Sequence, residues 1–248
     1  MKKRSMVAGI MALVLLTGCG PSFVSLDPLD LKKNNYPKTN NTKDVAFAIA
    51  RPQFIVKTKI STDLNRGLSG RLQYDVNEIA CHLTNEIQKM LVSRGIDVTD
   101  TFDSKEDMTF TQKRETTALL YPVIVLELQQ HSNTEVADGR VVQRTTGEIK
   151  VKATTTLVML EPLSGEKIWI KHVSDKKMSV KIDYPGLLHN NTSPFQVQES
   201  VAQVAQDIDK LLVKVDNEIL SKVNKFVTKE EFTFLNDDIK KLKNIKRY

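Results

Sequence analysis

Apolar residues recur three or four positions apart in a stretch that begins just after residue 70. The stripe runs through Leu72, Val76, Ile79, Leu83, Ile87, Met90 and Leu91. It stops at Arg94-Gly95, a pair typical of a helix C-terminus. Because such spacing places the apolar side chains on one helical face, the pattern predicts an amphipathic helix near residues 71–94.

A second helical stripe is longer and lies near the C-terminus. Its apolar positions are Val197, Val201, Val204, Ile208, Leu211, Leu212, Val215, Ile219, Val223 and Phe226. Ser193 and Pro194 precede it, with Gln196 three residues after the serine, as in a capping box with proline at the first helical position. We predict a helix near residues 195–226. A second capping box, Thr228–Glu231, predicts a shorter amphipathic helix after it.

Elsewhere in the chain the hydrophobic pattern is that of β-strands. Apolar or alternating runs occupy residues 45–50 (VAFAIA), 96–98 (IDV), 121–128 (YPVIVLEL), 148–160 (EIKVKATTTLVML) and 167–173 (KIWIKHV). The order strand, helix, strand at the start predicts a crossover unit packed on a sheet. Pro and Gly within Glu161–Glu166 predict a tight β-hairpin between the last two strands. We therefore expect an α/β fold, with α+β as the alternative: one mixed sheet with a β-hairpin, covered by the two longer predicted helices.

The first residues have the order of an export signal. Lys2, Lys3 and Arg4 precede an apolar stretch from Met6 to Leu16. That stretch is too short to cross a hydrocarbon core, which takes about 20 helical residues. Residues 1–18 are therefore expected to be a signal peptide that is removed.

Leu16-Thr17-Gly18-Cys19 resembles the lipobox of bacterial lipoproteins. The resemblance implies that the Cys19 thiol receives a diacylglycerol, that cleavage makes Cys19 the first residue, and that its amino group is then acylated, with palmitate as the expected chain. The alternative is an ordinary signal peptide cleaved near Gly18. Two or more acyl chains hold a protein stably on a bilayer. We interpret Cys19 as the membrane anchor, its lipid as the sole expected cofactor, and residues 19–43 as the lipidated cysteine with a flexible tether.

Residues 44–227 are expected to form a single α/β domain, and residues 228–248 a short basic helix or tail. Removing the signal lowers the net charge from +6 to +3, and much of the remainder lies in the basic C-terminus. The rest of the mature chain is close to neutral, which argues against nucleic-acid binding because that requires a basic face across the fold. The terminal KKLKNIKRY is interpreted as a solvated tail, with contact to anionic lipid or a polyanion as the alternative.

The reactive residues give no positive support for catalysis. His82, His131, His172 and His189 are far apart, so they predict no metal site and are expected to be satisfied or exposed. With Cys19 acylated, Cys81 is the remaining thiol; it forms no internal disulfide and is expected to be a small packed residue. Phosphate-binding, dinucleotide-binding and serine-hydrolase motifs do not occur, and Gly67–Gly70 is interpreted as the start of a helix. We do not expect an enzyme.

The segment 139–145 (GRVVQRT) is the candidate ligand-binding element. Arg140 and Arg144 carry guanidinium groups and Gln143 carries an amide, which together could engage a carboxylated sugar through bidentate hydrogen bonds. The alternative is a solvated β-edge whose charges discourage pairing with another sheet edge.

Three strings occur in order behind the lipobox: residues 50–54 (ARPQF), 107–115 (DMTFTQKRE) and 160–166 (LEPLSGE). Together they resemble the neuraminyllactose-binding hemagglutinin lipoproteins, a family of flagellar sheath adhesins, from the signal through the C-terminal helix. The resemblance implies a non-enzymatic outer-membrane lipoprotein, exposed at the surface or on a flagellar sheath, that acts as an adhesin for sialylated host glycans. This chain resembles a divergent paralogue of the founding member.

The family's proposed sialic-acid segment, K-R-T-I-Q-K-K, is only partly retained in this chain. Arg140, Gln143 and the basic position of Arg144 are retained, whereas Gly139 and Thr145 replace lysines. The resemblance implies a sugar-binding role for the three retained residues. A function of a different class, a structural or assembly lipoprotein inside the envelope, is the alternative to a surface adhesin.

Overall fold

The computed structural model describes residues 28–36, 42–135, 144–173, 179–185 and 194–245. The predicted signal peptide and the lipobox lie outside them. In chain order the elements are β1 (Thr42–Ala50), β2 (Gln53–Lys59), α1 (Thr62–Ser93), β3 (Ile96–Phe102), α2 (Phe110–Glu115), β4 (Ala118–Glu135), β5 (Arg144–Leu160), β6 (Lys167–Val173), β7 (Ser179–Pro185), α3 (Pro194–Phe226) and α4 (Lys229–Ile245). In this described part of the chain, no helix combines the length and apolar character needed to span a membrane.

The strands form one mixed sheet around a long antiparallel pair, β4 and β5. On one side of this pair, β1 and β2 follow each other along β4, both parallel to it, and β3 lies parallel to β1. On the other side, β6 and β7 pair with opposite halves of β5. The predicted α/β class, mixed sheet and parallel crossover through α1 are therefore confirmed, with β2 as an additional strand before the helix.

The predicted β-hairpin joins β5 to β6, and a hydrogen bond from the first residue of its loop closes it. The Glu161 N–H donates to the Glu166 carbonyl at 2.8 Å, and Gly165 has a φ of 71°, which glycine adopts without steric cost. The buried Glu161 carboxylate accepts hydrogen bonds from the N–H groups of Leu163 and Ser164 at 3.1 and 2.6 Å. The hairpin prediction is confirmed.

The main core lies between one face of the sheet and the helices α1 and α3. Along β4, Ile124, Leu126 and Leu128 are buried, whereas the alternate Val123 and Val125 are partly exposed. Successive strand residues point to opposite faces, so this alternation shows that one face of the sheet carries the helices. The opposite face holds a smaller cluster of Ala48, Ala50, Met108, Leu119 and Leu160.

The helix α1 begins at Thr62, well before the predicted start near residue 71. Gly67 and Gly70 therefore lie inside the helix, and their interpretation as its start was wrong. Glycine at position 67 allows α1 and α3 to pack closely, because a Cβ there would lie 2.9 Å from the Cγ2 atom of Val201 in α3. The predicted C-terminus is confirmed, since the helix ends at Ser93 and Gly95 has a φ of 77°.

The C-terminal helices agree with their sequence signals. α3 begins at Pro194 and ends at Phe226, which confirms the helix predicted near residues 195–226. α4 begins directly after Thr228, as the second capping box indicates, and buries Ile239. Ser193 lies outside the described residues.

The pattern missed β2, β7 and α2. α2 has six residues, too few to show a helical repeat, and is stabilised by a capping box. In that box the Thr109 N–H donates to Gln112 Oε1 at 2.9 Å, and the Gln112 N–H donates to Thr109 Oγ1 at 3.3 Å. Both residues belong to the string DMTFTQKRE.

Residues 28–36, within the range predicted as a flexible tether, pack on α1. Leu29 is buried, and its N–H donates to the Glu78 carboxylate at 3.2 Å; the Asn34 N–H donates to the Glu86 carboxylate at 3.1 Å. We call residues 28–36 the docked segment. Part of the predicted tether is therefore attached to the fold, because carboxylates on α1 satisfy its backbone donors.

His82 joins the docked segment to α3. Its Nδ1 lies 2.9 Å from Asp216 Oδ1, and its Nε2 lies 3.1 Å from the Lys32 carbonyl oxygen. A carbonyl only accepts, so Nε2 carries a proton. Burial raises the pKa of the Asp216 carboxyl, which has no exposed surface. His82 is thus a satisfied histidine, as expected.

Replacing Leu29 by serine is expected to release the docked segment. Burying a leucine side chain contributes about 1.5–3 kcal/mol, so the released population should rise about 10- to 100-fold. The rate of trypsin cleavage after the exposed Lys32 and Lys33 measures the released population, because the cleavage rate is proportional to the fraction of molecules in which the segment is released. Asp30→Ser, at an exposed neighbouring position, is the matched control and should cleave at the wild-type rate. Equal rates for both variants would contradict the docking.

Candidate ligand-binding cleft

A cleft of about 200 Å³ opens where β1 and β3 end. Its lining residues are Arg51, Cys81, Thr84, Asn85, Thr101, Phe102 and Asp103. Arg51 directly follows β1 and Asp103 directly follows β3, and the two strands are parallel neighbours. The carboxyl ends of parallel strands share one edge of a sheet, which is where open α/β sheets bind ligands.

Arg51 is held at its backbone and at one end of its guanidinium. Its N–H donates to the Phe102 carbonyl at 2.8 Å. Its Nη2 donates to the Asn77 carbonyl at 3.1 Å and to Cys81 Sγ at 3.0 Å, both on α1. Its Nη1 lies 3.6 Å from Asp103 Oδ1. One nitrogen is therefore anchored on the helix, and the other is turned towards an exposed carboxylate.

α1 presents a polar face to the cleft. Asn77, Cys81 and Asn85 follow each other four residues apart, with Thr84 beside them, so they share one side of the helix. The expectation that Cys81 is packed is wrong, because the residue lies outside the apolar stripe and its thiol is exposed. Its sulfur accepts the hydrogen bond from Arg51 instead.

The lining residues provide a varied set of polar groups around a small volume. Arg51 is a cation, Asp103 a carboxylate and Asn85 an amide; the hydroxyls come from Thr84 and Thr101. The ring of Phe102 is half-buried and packs against the smaller core cluster. Convergent polar groups beside an apolar surface are typical of small-ligand sites. Within the described residues, no group of three or more His, Cys, Asp or Glu side chains could hold a metal ion.

None of the site residues predicted from the sequence is among the described residues that line the cleft. Cys19, Arg140 and Gln143 lie outside the described residues. Arg144 begins β5, where its backbone pairs opposite Glu135 at the end of the central strand pair. The segment therefore leads into a strand, as predicted, and its sugar-binding role stays a prediction.

Sequence reasoning missed the cleft because its two charged residues come from distant parts of the chain. The available signals were the polar face of α1 and the string ARPQF, which contains Arg51. Neither signal indicates that β3 delivers Asp103 to the same edge. That pairing depends on the parallel register of β1 and β3.

A second charged cluster is buried between α1 and α3. Arg71 Nε donates to Asp75 Oδ2 at 3.1 Å, and its Nη2 donates to Asp209 Oδ2 at 2.8 Å. Burial, followed by the nearby Asp209 charge, raises the pKa of Asp75 to about 7, although Arg71 opposes this. The Arg71 and Asp75 side chains are only 7% and 1% exposed and that of Asp209 is 22% exposed, so the cluster mainly joins the two helices.

Comparison with known proteins finds similarity to hemagglutinins of Helicobacter pylori. A neuraminyllactose-binding hemagglutinin of Helicobacter pylori is 22% identical over 249 residues, which cover 95% of this chain and 92% of that protein. The protein of the same name from another strain is 22% identical over 248 residues with the same coverage. Over almost its whole length, the chain is similar to these hemagglutinins. The resemblance carried by the three strings is confirmed.

The hemagglutinin relatives are named for agglutination and sugar binding, not for an enzymatic reaction. A crystal structure described as that of a neuraminyllactose-binding hemagglutinin homologue from Helicobacter pylori covers 81% of this chain and 100% of its own, at 15% identity and a TM-score of 0.45. No family model matches the chain.

Proposed function

We propose that the chain is a lipid-anchored protein of the bacterial outer membrane that binds sialylated glycans and attaches the cell to host surfaces. The observation that supports this most is the similarity to neuraminyllactose-binding hemagglutinin, which extends over 95% of the chain. The name of that relative specifies a sialylated sugar as its ligand. The export signal and the lipobox at Cys19 support the envelope location, at the cell surface or on a flagellar sheath.

The docked segment limits how far the domain would stand from the membrane. Its first described residue, Pro28, is nine residues after Cys19. Nine extended residues span at most about 32 Å. A domain held this close would present its glycan site near the outer surface, and releasing residues 28–36 would lengthen the link.

The sugar contacts are proposed to come from Arg140, Gln143 and Arg144. Guanidinium groups bind carboxylates through two parallel hydrogen bonds, and sialic acid carries a carboxylate. Along the chain, Arg140 and Gln143 come between β4 and β5, and Arg144 is the first residue of β5.

Cells that carry the full-length chain are expected to bind polymer-linked sialyl-lactose and not polymer-linked lactose. Arg140→Ala combined with Arg144→Ala should reduce this binding by an order of magnitude or more. Lys150→Ala combined with Lys152→Ala, which removes two exposed positive charges from β5, is the matched control and should bind normally. Cys19→Ser should remove the protein from the membrane fraction.

Equal binding of the two sugars, or binding of neither, would contradict the glycan part of the proposal. Protease treatment of intact cells tests exposure in the same samples. A domain that external protease leaves untouched would instead favour a structural or assembly lipoprotein inside the envelope.

A further inference from the structure

One edge of the Arg51 guanidinium faces the cleft and makes only a long ion pair within the fold. Its Nη2 is fixed by the Asn77 carbonyl and Cys81 Sγ, which sets the plane and direction of the group. Its Nη1 lies 3.6 Å from Asp103 Oδ1, whereas the donor–acceptor distance in a strong charge-assisted hydrogen bond is about 2.7–2.9 Å. The cation is therefore oriented in advance, and its outer nitrogen is poorly satisfied.

Asp103 is poorly held in its position opposite Arg51. Its side chain is 87% exposed, compared with 31% for that of Arg51. Exposed ion pairs of this kind shift an equilibrium by roughly two- to fivefold at most. A ligand carboxylate could displace Asp103 at small cost, because the aspartate returns to water.

The remaining lining groups suit a sugar that carries such a carboxylate. Asn85, Thr84 and Thr101 provide an amide and hydroxyls for ring substituents, and the half-buried Phe102 provides an apolar surface. Sugars combine hydroxyl groups with apolar C–H faces, so both kinds of contact are needed. The volume of about 200 Å³ is below the roughly 300–1,000 Å³ of pockets that enclose drug-sized ligands, so the cleft would hold part of one terminal sugar residue and not a whole trisaccharide.

We propose that the cleft binds the terminal acidic residue of a glycan, with Arg51 pairing with its carboxylate and Asp103 occupying that position when no ligand is bound. The choice of an acidic sugar as the ligand class rests on the proposed function; the position of the site rests on the cleft alone. The described lining residues do not include Arg144, and Arg140 and Gln143 lie outside the described residues.

The test uses full-length lipoprotein in detergent micelles and the methyl glycoside of N-acetylneuraminic acid. Its neutral methyl ester and the methyl glycoside of glucuronic acid are the comparison ligands. We expect the acid to bind at least tenfold more tightly than the ester. Arg51→Gln should lower the affinity for the acid at least tenfold, whereas Asp103→Asn should raise it about two- to fivefold.

Two matched variants control for charge alone. Asp97→Asn removes an exposed negative charge from β3, and Arg66→Gln removes an exposed positive charge from α1. Both should bind the acid as the wild type does. Opposite effects of Arg51→Gln and Asp103→Asn are not expected from a pair that only stabilises the fold.

The exposed Cys81 thiol provides a second readout on the wild-type chain. It lines the cleft, so bound acid should slow its alkylation by N-ethylmaleimide, while the ester should not. This measurement does not depend on any variant folding correctly. An unchanged alkylation rate at saturating acid would overturn the proposal.

The outcomes separate the cleft from the proposed function. Sialyl-lactose binding that survives Arg51→Gln but is lost with Arg140→Ala and Arg144→Ala refutes the cleft and keeps the adhesin. Sialyl-lactose binding that is lost with Arg51→Gln but survives Arg140→Ala combined with Arg144→Ala supports the cleft as the glycan site. Equal binding of the glucuronic and neuraminic acid glycosides also supports the cleft, as a general acidic-sugar site. Binding of neither acid refutes the cleft, and the adhesin is refuted only if sialyl-lactose does not bind either.

Discussion

Replacing Arg71 by leucine is expected to lower the free energy of unfolding by about 3–5 kcal/mol at pH 8. Its guanidinium lies between two carboxylates on facing helices, Asp75 in α1 and Asp209 in α3. Leucine leaves these two carboxylates close together without the cation between them. Removing one partner of a buried ion pair costs more than the pair itself contributes, because the remaining charge stays desolvated.

The effect of Arg71→Leu should be smaller at pH 5. Asp75 has a folded-state pKa of about 7 against an ordinary value of 3.8, so it is protonated at pH 5. A protonated Asp75 can donate a hydrogen bond to Asp209, which reduces the repulsion that leucine would otherwise expose. Urea unfolding at the two pH values measures the difference.

The wild type should itself lose stability between pH 5 and pH 8 through this group. A folded-state pKa above the unfolded value means that the native state holds the extra proton. The contribution of Asp75 is therefore fully present below about pH 4 and is lost as the pH rises through about 7. For a shift of this size the loss from pH 5 to pH 8 is on the order of 3 kcal/mol.

Two variants control this prediction. Arg66→Leu removes an exposed arginine from the same helix and should change the free energy of unfolding by about 0.5 kcal/mol or less. Asp75→Asn cannot titrate and should remove most of the decline between pH 5 and pH 8. A full decline in that variant, or equal losses for Arg71→Leu and Arg66→Leu, would show that the cluster does not act as described.

The parts of the fold that sequence predicted are those set by neighbouring residues. Gly95 ends α1, Pro194 begins α3 and Gly165 closes the hairpin, because capping and turn geometry depend on a few adjacent positions. The alternation along β5 likewise identifies its buried face without knowledge of the strands beside it. These signals were enough for the class of the fold and for the boundaries that a cap or a turn marks, but not for the start of α1 or for either end of β4.

The sites could not be predicted in the same way because their partners are far apart in the chain. Arg71 and Asp209 are 138 positions apart and meet only because α1 and α3 pack together. Arg51 and Asp103 meet only because β1 and β3 are parallel neighbours. Residue type and spacing show neither contact.

The docked segment is another feature whose contacts could not be predicted from its own sequence. Its Pro, Asn and Lys residues are typical of a tether, and nothing in its own sequence indicates that it packs. The attachment comes from the burial of Leu29 and from Glu78 and Glu86 on α1, whose carboxylates accept backbone N–H groups of the segment. Residues 28–36 contain no helix or strand, but their composition predicted a flexible tether and did not show that they are bound to α1.

The contact between α1 and α3 gives a second prediction of large effect, in which two glycines of one helix respond oppositely to alanine. Both lie inside α1, where alanine is favoured over glycine by about 1 kcal/mol. A Cβ on Gly70 would meet nothing within 4 Å, so Gly70→Ala should raise the free energy of unfolding by about 0.5–1 kcal/mol.

Gly67→Ala should do the reverse because the new methyl has no room. Its Cβ would lie 2.9 and 3.0 Å from the two γ-carbons of Val201, a buried β-branched side chain that cannot easily rotate away. Overpacking of this kind costs about 1–3 kcal/mol, which matches or exceeds the gain in helix propensity. Gly67→Ala should therefore be about 1–3 kcal/mol less stable than Gly70→Ala. The loss for Gly67→Ala combined with Val201→Ala should be smaller than the sum of the two single losses, because the second change removes the γ-carbons that the first one meets. If the two glycine variants were equally stabilised, the helices would not approach as closely at Gly67 as the structure places them.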